Sequence, residues 1–92
     1  MILNLDTKLT IDTSQILFLK SHINYTEINI LNSRSFMCSY PLKKYENLLH
    51  DHNFKRIHRT YMVNMEHVVS KSPAEVLLSN GSVVPISRRR KI

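Results

Sequence analysis

The chain has 92 residues, 42% of them hydrophobic and 22% charged, which is the composition of one small folded domain and not of a disordered protein. Its formal net charge of +6 favours a polyanionic partner. A single cysteine excludes an internal disulfide, and no apolar run is long enough to span a membrane. We therefore expect residues 1–92 to form one cytoplasmic domain that is not bound to a membrane.

The positive charge is concentrated in the second part of the chain. Residues 1–40 carry three cationic and three acidic side chains, whereas residues 41–92 carry ten cationic and four acidic ones. The whole excess of six positive charges thus follows residue 40. The stretch 54–64 and the basic tail, which are expected to face a polyanion, both lie in that part.

The first part of the chain reads as short β-strands followed by a helix. Apolar and polar residues alternate over 8–12 and 25–31, the period of a strand with one buried face, and the brief apolar run 16–19 predicts a central strand. Asn32 and Ser33 predict a turn into a strand over 35–40. Pro41 suits the first position of a helix over 41–50, since Leu42, Tyr45, Leu48 and Leu49 then share one face.

The second part predicts further strands. In the stretch 54–64, cations alternate with residues that favour burial, which indicates a strand or tight turn with an outward cationic edge. A strand is expected over 67–72, and Asn80-Gly81 predicts a type I′ hairpin between strands over 75–79 and 82–86. The sum is seven to nine short strands and one small helix, and the absence of β–helix–β alternation predicts a mainly β fold with mostly antiparallel pairing.

Enzymatic chemistry has little support in the sequence. The five histidines include His50 and His52 near the predicted helix end, but no cysteine pair has zinc spacing, so packed or surface histidines are the simpler interpretation. Gly81 is the only glycine, which excludes a glycine-rich phosphate loop, and the carboxylates are few and scattered. We predict a protein with no catalytic activity, no metal and no cofactor.

The basic C-terminal run, residues 88–91, has two interpretations. Such a run is commonly a solvated tail, but it directly follows a strand whose register the hairpin turn should fix. The arginine fork matches phosphate oxygens, or O6 and N7 of guanine, through two simultaneous hydrogen bonds. Polyanion binding is therefore the favoured interpretation.

The spacing of several motifs resembles the LytTR family of bacterial DNA-binding domains. The resemblance covers about residues 8–91 and is carried by Phe54-Lys55-Arg56-Ile57-His58-Arg59-Thr60-Tyr61-Met62-Val63-Asn64, by Asn80-Gly81, and by Ser87-Arg88-Arg89-Arg90. Upstream, Ile16-Leu17-Phe18-Leu19 and Asn24-Tyr25-Thr26 are similar to the family's apolar strand and the connection after it. The resemblance implies an elongated β fold in a transcriptional regulator that binds repeated promoter sites through loops in the major groove of double-stranded DNA.

The resemblance also implies residue roles and a partner. Most family members carry an N-terminal receiver domain, and a second copy of the protein is expected on the adjacent DNA repeat. His58 and Asn64 would organise the turn through hydrogen bonds. Base contacts are expected from Thr26 or its neighbours Asn24 and Tyr25, from Arg59, and from Arg88; phosphate contacts are expected from Lys55, Arg56, Thr60, Ser87, Arg89 and Lys91.

Two other functions remain open at this stage. A basic RNA-binding or ribosome-associated module would prefer single strands, which it would bind by stacking aromatic side chains on bases. A small metal-dependent nuclease is motivated only by the histidines, and cleavage of plasmid DNA in the presence of divalent metals would reveal it.

Overall fold

A computed structural model describes residues 1–4, 10–32 and 34–90 of the chain. Within these residues there are ten strands, one α-helix and three short 3-10 turns. The helix α1 spans Leu42–Leu49, and the 3-10 turns span Thr13–Gln15, His50–His52 and Met65–His67. The strands are β1 (Ile2–Asn4), β2 (Thr10–Asp12), β3 (Ile16–His22), β4 (Tyr25–Ile30), β5 (Ser35–Cys38), β6 (Phe54–Arg56), β7 (Tyr61–Asn64), β8 (Val68–Lys71), β9 (Glu75–Leu78) and β10 (Val83–Pro85).

A five-stranded antiparallel sheet forms the centre of the molecule, with the strand order β5-β4-β3-β7-β6. The apolar run of β3 lies in its middle, where Ile16, Leu17 and Leu19 are almost completely buried. A register irregularity between Ile16 and Phe18 interrupts the alternation of side chains. β3 supplies buried side chains to both faces of the sheet, as predicted for a central strand.

Each face of the central sheet is covered by a different layer. Helix α1 and the β1–β2 hairpin cover one face, where Leu19 and Met62 pack with Leu42 and Leu49 of the helix. The three-stranded sheet β10-β9-β8 covers the other face, where Leu17 and Val63 of the central sheet pack with side chains of β9 and β10. The molecule measures 39 × 25 × 22 Å and is thus elongated, as the resemblance implies.

Helix α1 begins without a side-chain cap. Pro41 is the N-cap residue and not the first helical residue, because its ψ of 156° is extended, and no side chain bonds to the free amides there. The hydroxyl of Thr26 donates a hydrogen bond of 2.7 Å to the carbonyl of Tyr40 just before the helix. Packing of Leu42, Tyr45 and Leu49 into the core holds the helix in place instead.

The sequence prediction is correct for the fold class and differs from the structure in further details besides the position of Pro41. The hairpin between β9 and β10 has the expected pairing, but only Gly81 has a positive φ, +90°, and Asn80 does not. The turn is therefore a three-residue loop over 79–81 and not a type I′ turn, because the Leu78 amide bonds to the Ser82 carbonyl at 2.8 Å. The strand β1 was not predicted. The strand expected over 8–12 corresponds to β2 over residues 10–12, and residues 8 and 9 lie outside the described ranges.

Candidate nucleic-acid interface

The motif at 54–64 folds as a hairpin whose loop, residues 57–60, presents Arg59. Ile57 is fully buried and anchors the loop. His58 Nδ1 accepts a hydrogen bond from the Thr60 amide at 3.0 Å, and its ring lies edge-on to Tyr61 with 5.6 Å between centroids. The tautomer in this arrangement carries its proton on Nε2. The exposed Arg59 thus lies between two residues whose positions are fixed by hydrogen bonds.

Arg56 supports this loop through hydrogen bonds to its backbone carbonyls. Its Nε donates to the His58 carbonyl at 3.0 Å, its Nη2 donates to the Arg59 carbonyl, and its Nη1 donates to Glu46 Oε1 at 3.1 Å. Burial lowers the pKa of Arg56 most strongly, and Arg90 lowers it further, whereas Glu46 opposes both effects. The side chain is 14% exposed and all three nitrogens are engaged, so in this conformation Arg56 supports the loop, and its expected phosphate contact stays a prediction.

Asn64 has its hydrogen bonds at the opposite end of the same hairpin. It is 1% exposed, its Nδ2 donates to the Ile16 carbonyl at 2.9 Å, and its Oδ1 accepts from the Glu66 amide at 3.0 Å. The side chain therefore ties the end of β7 to the start of β3 and caps the 3-10 turn Met65–His67. It organises a turn, but that turn is not the Arg59 loop.

The C-terminal segment after β10 docks against the Arg59 loop. The Ser87 amide donates a hydrogen bond of 2.8 Å to the Ile57 carbonyl, and the Arg90 amide donates one of 3.1 Å to the Ser87 carbonyl. The segment is thereby folded back and is not a free tail over residues 87–90. A concavity of about 420 Å³ lies between the two segments and is lined by His58, Arg59, Ser87, Arg89 and Arg90.

The C-terminal arginines differ in their position relative to the concavity. Arg89 lines it together with Arg59, whereas Arg88 is exposed outside it. Arg90 Nη1 lies 3.9 Å from Glu46 Oε2, so its guanidinium faces the helix. Arg89 and Arg90 thus both line the concavity with Arg59, but the guanidinium of Arg90 is directed toward Glu46. Lys91 lies outside the described residues.

The β3–β4 hairpin reaches the same end of the sheet. The Ser21 amide donates a hydrogen bond of 2.7 Å to the Thr60 carbonyl, and the turn beyond it has Asn24 in the left-handed region with φ of 67°. Asn24 and Tyr25 are exposed. Thr26 is 0% exposed and its hydroxyl is bonded inside the fold to Tyr40, so the exposed neighbours Asn24 and Tyr25 are the better placed of the three expected base contacts.

The remaining predicted contact residues differ in exposure. Lys55 is exposed on β6, while Thr60 and Ser87 are partly exposed. Sequence reasoning missed Glu46, which lies within 4.0 Å of Lys43, Arg56 and Arg90. Its spacing of four residues from Leu42 and three from Leu49 places it at the edge of the buried helix face, and that spacing was the available signal.

A second depression is lined by acidic side chains, in contrast to the cationic concavity. It encloses about 340 Å³ at the other end of the β6–β7 hairpin, and Asp12, Asp51 and Glu66 are among its lining residues.

Among residues 1–4, 10–32 and 34–90, no group of histidine, cysteine and acidic side chains is arranged to hold a metal ion. Nor is any helix of those residues long and apolar enough to cross a membrane.

This fold and its cationic concavity define a β-type nucleic-acid-binding domain, and comparisons with known proteins give the family. Residues 6–91 match the model of the LytTr DNA-binding domain. The fold matches, with a TM-score of 0.78 and 27% identity, the LytTr DNA-binding domain of a Bacillus cereus protein described as a methyl-accepting/DNA response regulator, covering 97% of this chain and 88% of that one. No curated protein matches the sequence.

The chain belongs to the LytTr DNA-binding domain family, because the family model spans nearly all of it. It is therefore a DNA-binding domain of the type found in transcriptional regulators, as the sequence motifs predicted.

Proposed function

We propose that this domain binds repeated promoter sites in double-stranded DNA sequence-specifically, by inserting its loops into successive major grooves. Asn24 and Tyr25 of the β3–β4 turn, Arg59 of the β6–β7 loop and Arg89 of the C-terminal segment would contact bases. Arg88 would contact phosphate, so the roles of Arg88 and Arg89 are exchanged relative to the sequence prediction. The other phosphate contacts would be Lys55, Thr60, Ser87 and Lys91.

One observation carries the proposal: the Arg59 loop is hydrogen-bonded to both other contact segments. Its Thr60 carbonyl accepts from Ser21 at 2.7 Å, and its Ile57 carbonyl accepts from Ser87 at 2.8 Å. Three contact segments that share one end of a rigid sheet can meet one duplex together. Had they faced opposite sides of the molecule, no single duplex would reach them all.

The longest dimension of the domain is close to the length of one turn of B-DNA. Its longest extent is 39 Å, and one turn of B-DNA is about 34–36 Å long. A domain lying along the duplex therefore covers about one helical turn. A second copy on the adjacent repeat would extend the contact surface without requiring a dimer in solution.

The residue types fit this division of roles. Arginine forms two hydrogen bonds with O6 and N7 of guanine, and asparagine does so with N6 and N7 of adenine. Each such pair contributes about 1–3 kcal/mol of discrimination between bases. Phosphate contacts set the register on the duplex and supply most of the salt-dependent affinity.

Selection of bound sequences from random duplex DNA at physiological salt tests the proposal. We expect enrichment of a motif that occurs twice at a fixed spacing, and tighter binding to this duplex than to either of its single strands. Tighter binding to single-stranded DNA or RNA would overturn the proposal in favour of an RNA-binding module. Failure to enrich any motif would overturn the sequence-specific part.

A further inference from the structure

Glu46 of helix α1 is an acidic side chain set among cations at the edge of the DNA-contacting end. Its side chain is 26% exposed. Oε1 lies 3.1 Å from Arg56 Nη1 and 3.7 Å from Lys43 Nζ, and Oε2 lies 3.9 Å from Arg90 Nη1. One carboxylate thus joins the helix to both cationic segments of the interface.

The contact with Arg56 leads directly to the Arg59 loop. The same guanidinium that Glu46 binds through Nη1 donates through Nε and Nη2 to the carbonyls of His58 and Arg59. These carbonyls flank the Arg59 side chain along the backbone. Fixing the guanidinium therefore fixes the direction in which Arg59 leaves the surface.

The contact with Arg90 leads to the C-terminal segment. Arg90 closes the turn that begins at Ser87, and Ser87 is bonded to Ile57 at the base of the loop. With its guanidinium directed toward Glu46, Arg90 holds this turn against the helix. Arg89, the neighbouring residue, lines the concavity with Arg59.

From its charge alone, Glu46 is expected to lower the affinity for DNA. A negative charge at a phosphate-binding surface lowers the affinity for any duplex, and its removal should raise that affinity. Without the carboxylate, however, a largely buried Arg56 loses its counter-ion and is drawn toward solvent or phosphate. Arg56 would then no longer donate hydrogen bonds to the carbonyls of His58 and Arg59.

We propose that Glu46 is a positioning residue for sequence recognition. Its negative charge lowers the affinity for DNA of any sequence, and its contacts hold Arg59 and Arg89 in defined positions. The inference rests on the proposed function of those two arginines as base readers. It predicts opposite effects of Glu46 on specific and on non-specific DNA binding, which neither simple repulsion nor a loss of folding would produce.

The test compares E46Q with wild type and with E66Q, which removes the same charge in the acidic depression at the far end of the β6–β7 hairpin. Each protein is titrated with the selected duplex and with a scrambled duplex of equal length. We expect E46Q to bind the selected duplex about tenfold more weakly, and the scrambled duplex more tightly, than wild type does. E66Q should keep the wild-type ratio between the two duplexes.

Hydrogen exchange in the free protein separates positioning from folding. In E46Q the Thr60 amide should exchange faster while the amide of Val63, which is buried in β7, stays protected. Loss of protection at both positions, or a specificity ratio equal to that of E66Q, would overturn the inference. If wild type itself does not distinguish the two duplexes, the proposed function fails instead, so the two failures are separable.

Discussion

The amide of Ser21 donates a 2.7 Å hydrogen bond to the carbonyl of Thr60, and this bond joins the end of β3 to the Arg59 loop. It continues the β3–β7 pairing, in which Lys20 lies opposite Tyr61, by one step beyond the strand. The β3–β4 turn and the Arg59 loop therefore move as parts of one sheet. The positions of Asn24 and Arg59 are thereby fixed relative to each other, which the proposed contacts with one duplex of fixed groove spacing require.

Replacement of Arg59 by alanine should remove base discrimination at one position of the site. We expect R59A to lose about 1–3 kcal/mol of specific binding free energy, with relaxed preference at that position. Arg34 is a matched control, because it lies at the β4–β5 turn, at the opposite end of the central sheet. Titration of both variants with the selected duplex and its single-base variants checks this, and equal losses in R59A and R34A would contradict it.

Arg88 and Arg89 should respond differently to the same substitution. R89A should relax preference at one base position because Arg89 lines the concavity with Arg59. R88A should weaken all duplexes alike and reduce the slope of log affinity against log salt by about one unit, as loss of one phosphate contact does. Salt titrations on selected and scrambled duplexes distinguish the two, and the reverse pattern would restore Arg88 as the base reader.

His58 is expected to act through the loop backbone. H58F keeps an aromatic ring against Tyr61 but loses the acceptor for the Thr60 amide, which is bonded at 3.0 Å. A hydrogen bond contributes about 1 kcal/mol, so specific affinity should fall by about fivefold and the Thr60 amide should exchange faster. His52 is exposed and is absent from the Arg59 concavity, so H52F should change neither quantity. An unchanged Thr60 exchange rate in H58F would rule out this role.

Local patterns in the sequence predicted most elements of the fold. Alternation identified β4, the apolar run identified β3, and the spacing of Leu42, Tyr45 and Leu49 identified the helix. These signals are local because each depends only on which face of an element is buried. The turn between β9 and β10 was placed correctly but given the wrong type, because Asn-Gly is compatible with more than one hairpin loop.

The roles of polar residues at the site could not be predicted from local patterns. Arg56 and Thr26 have side chains suited to DNA, but their partners are distant in sequence: Glu46 for Arg56, and Tyr40 for Thr26. Whether a polar side chain faces solvent or the interior depends on such contacts. The motif resemblance selected the segments that we propose to contact DNA, and the tertiary structure then divided their residues into exposed and structural ones.

Asn64 should contribute to stability and not directly to DNA contacts. N64A leaves the Ile16 carbonyl and the Glu66 amide without their partner in a site that is 1% exposed. We expect the free energy of unfolding to fall by about 2–3 kcal/mol. N47A changes an exposed residue of helix α1 and should stay within about 0.5 kcal/mol of wild type. Urea denaturation measures both, and similar midpoints would show that the Asn64 amide is dispensable.

Tyr45 should make the protein less stable at high pH. The phenol is 2% exposed, and burial, with a hydrogen bond to Cys38 as the next cause, raises its pKa above the ordinary value of 10.0. Below pH of about 10 the phenol is protonated in both folded and unfolded chains, so its contribution is intact. As the pH rises further, the unfolded chain releases the proton while the folded one retains it. The free energy of unfolding then falls by up to about 1.4 kcal/mol per pH unit.

Two phenylalanine variants isolate the contribution of Tyr45. Y45F should be less sensitive to pH above about 10 than wild type, because it has no buried phenol to ionise. Y40F alters a phenol that is 49% exposed and should keep the wild-type pH dependence. Urea denaturation from about pH 8.5 to about pH 11 gives the three curves, and parallel curves for wild type and Y45F would exclude Tyr45 as the cause.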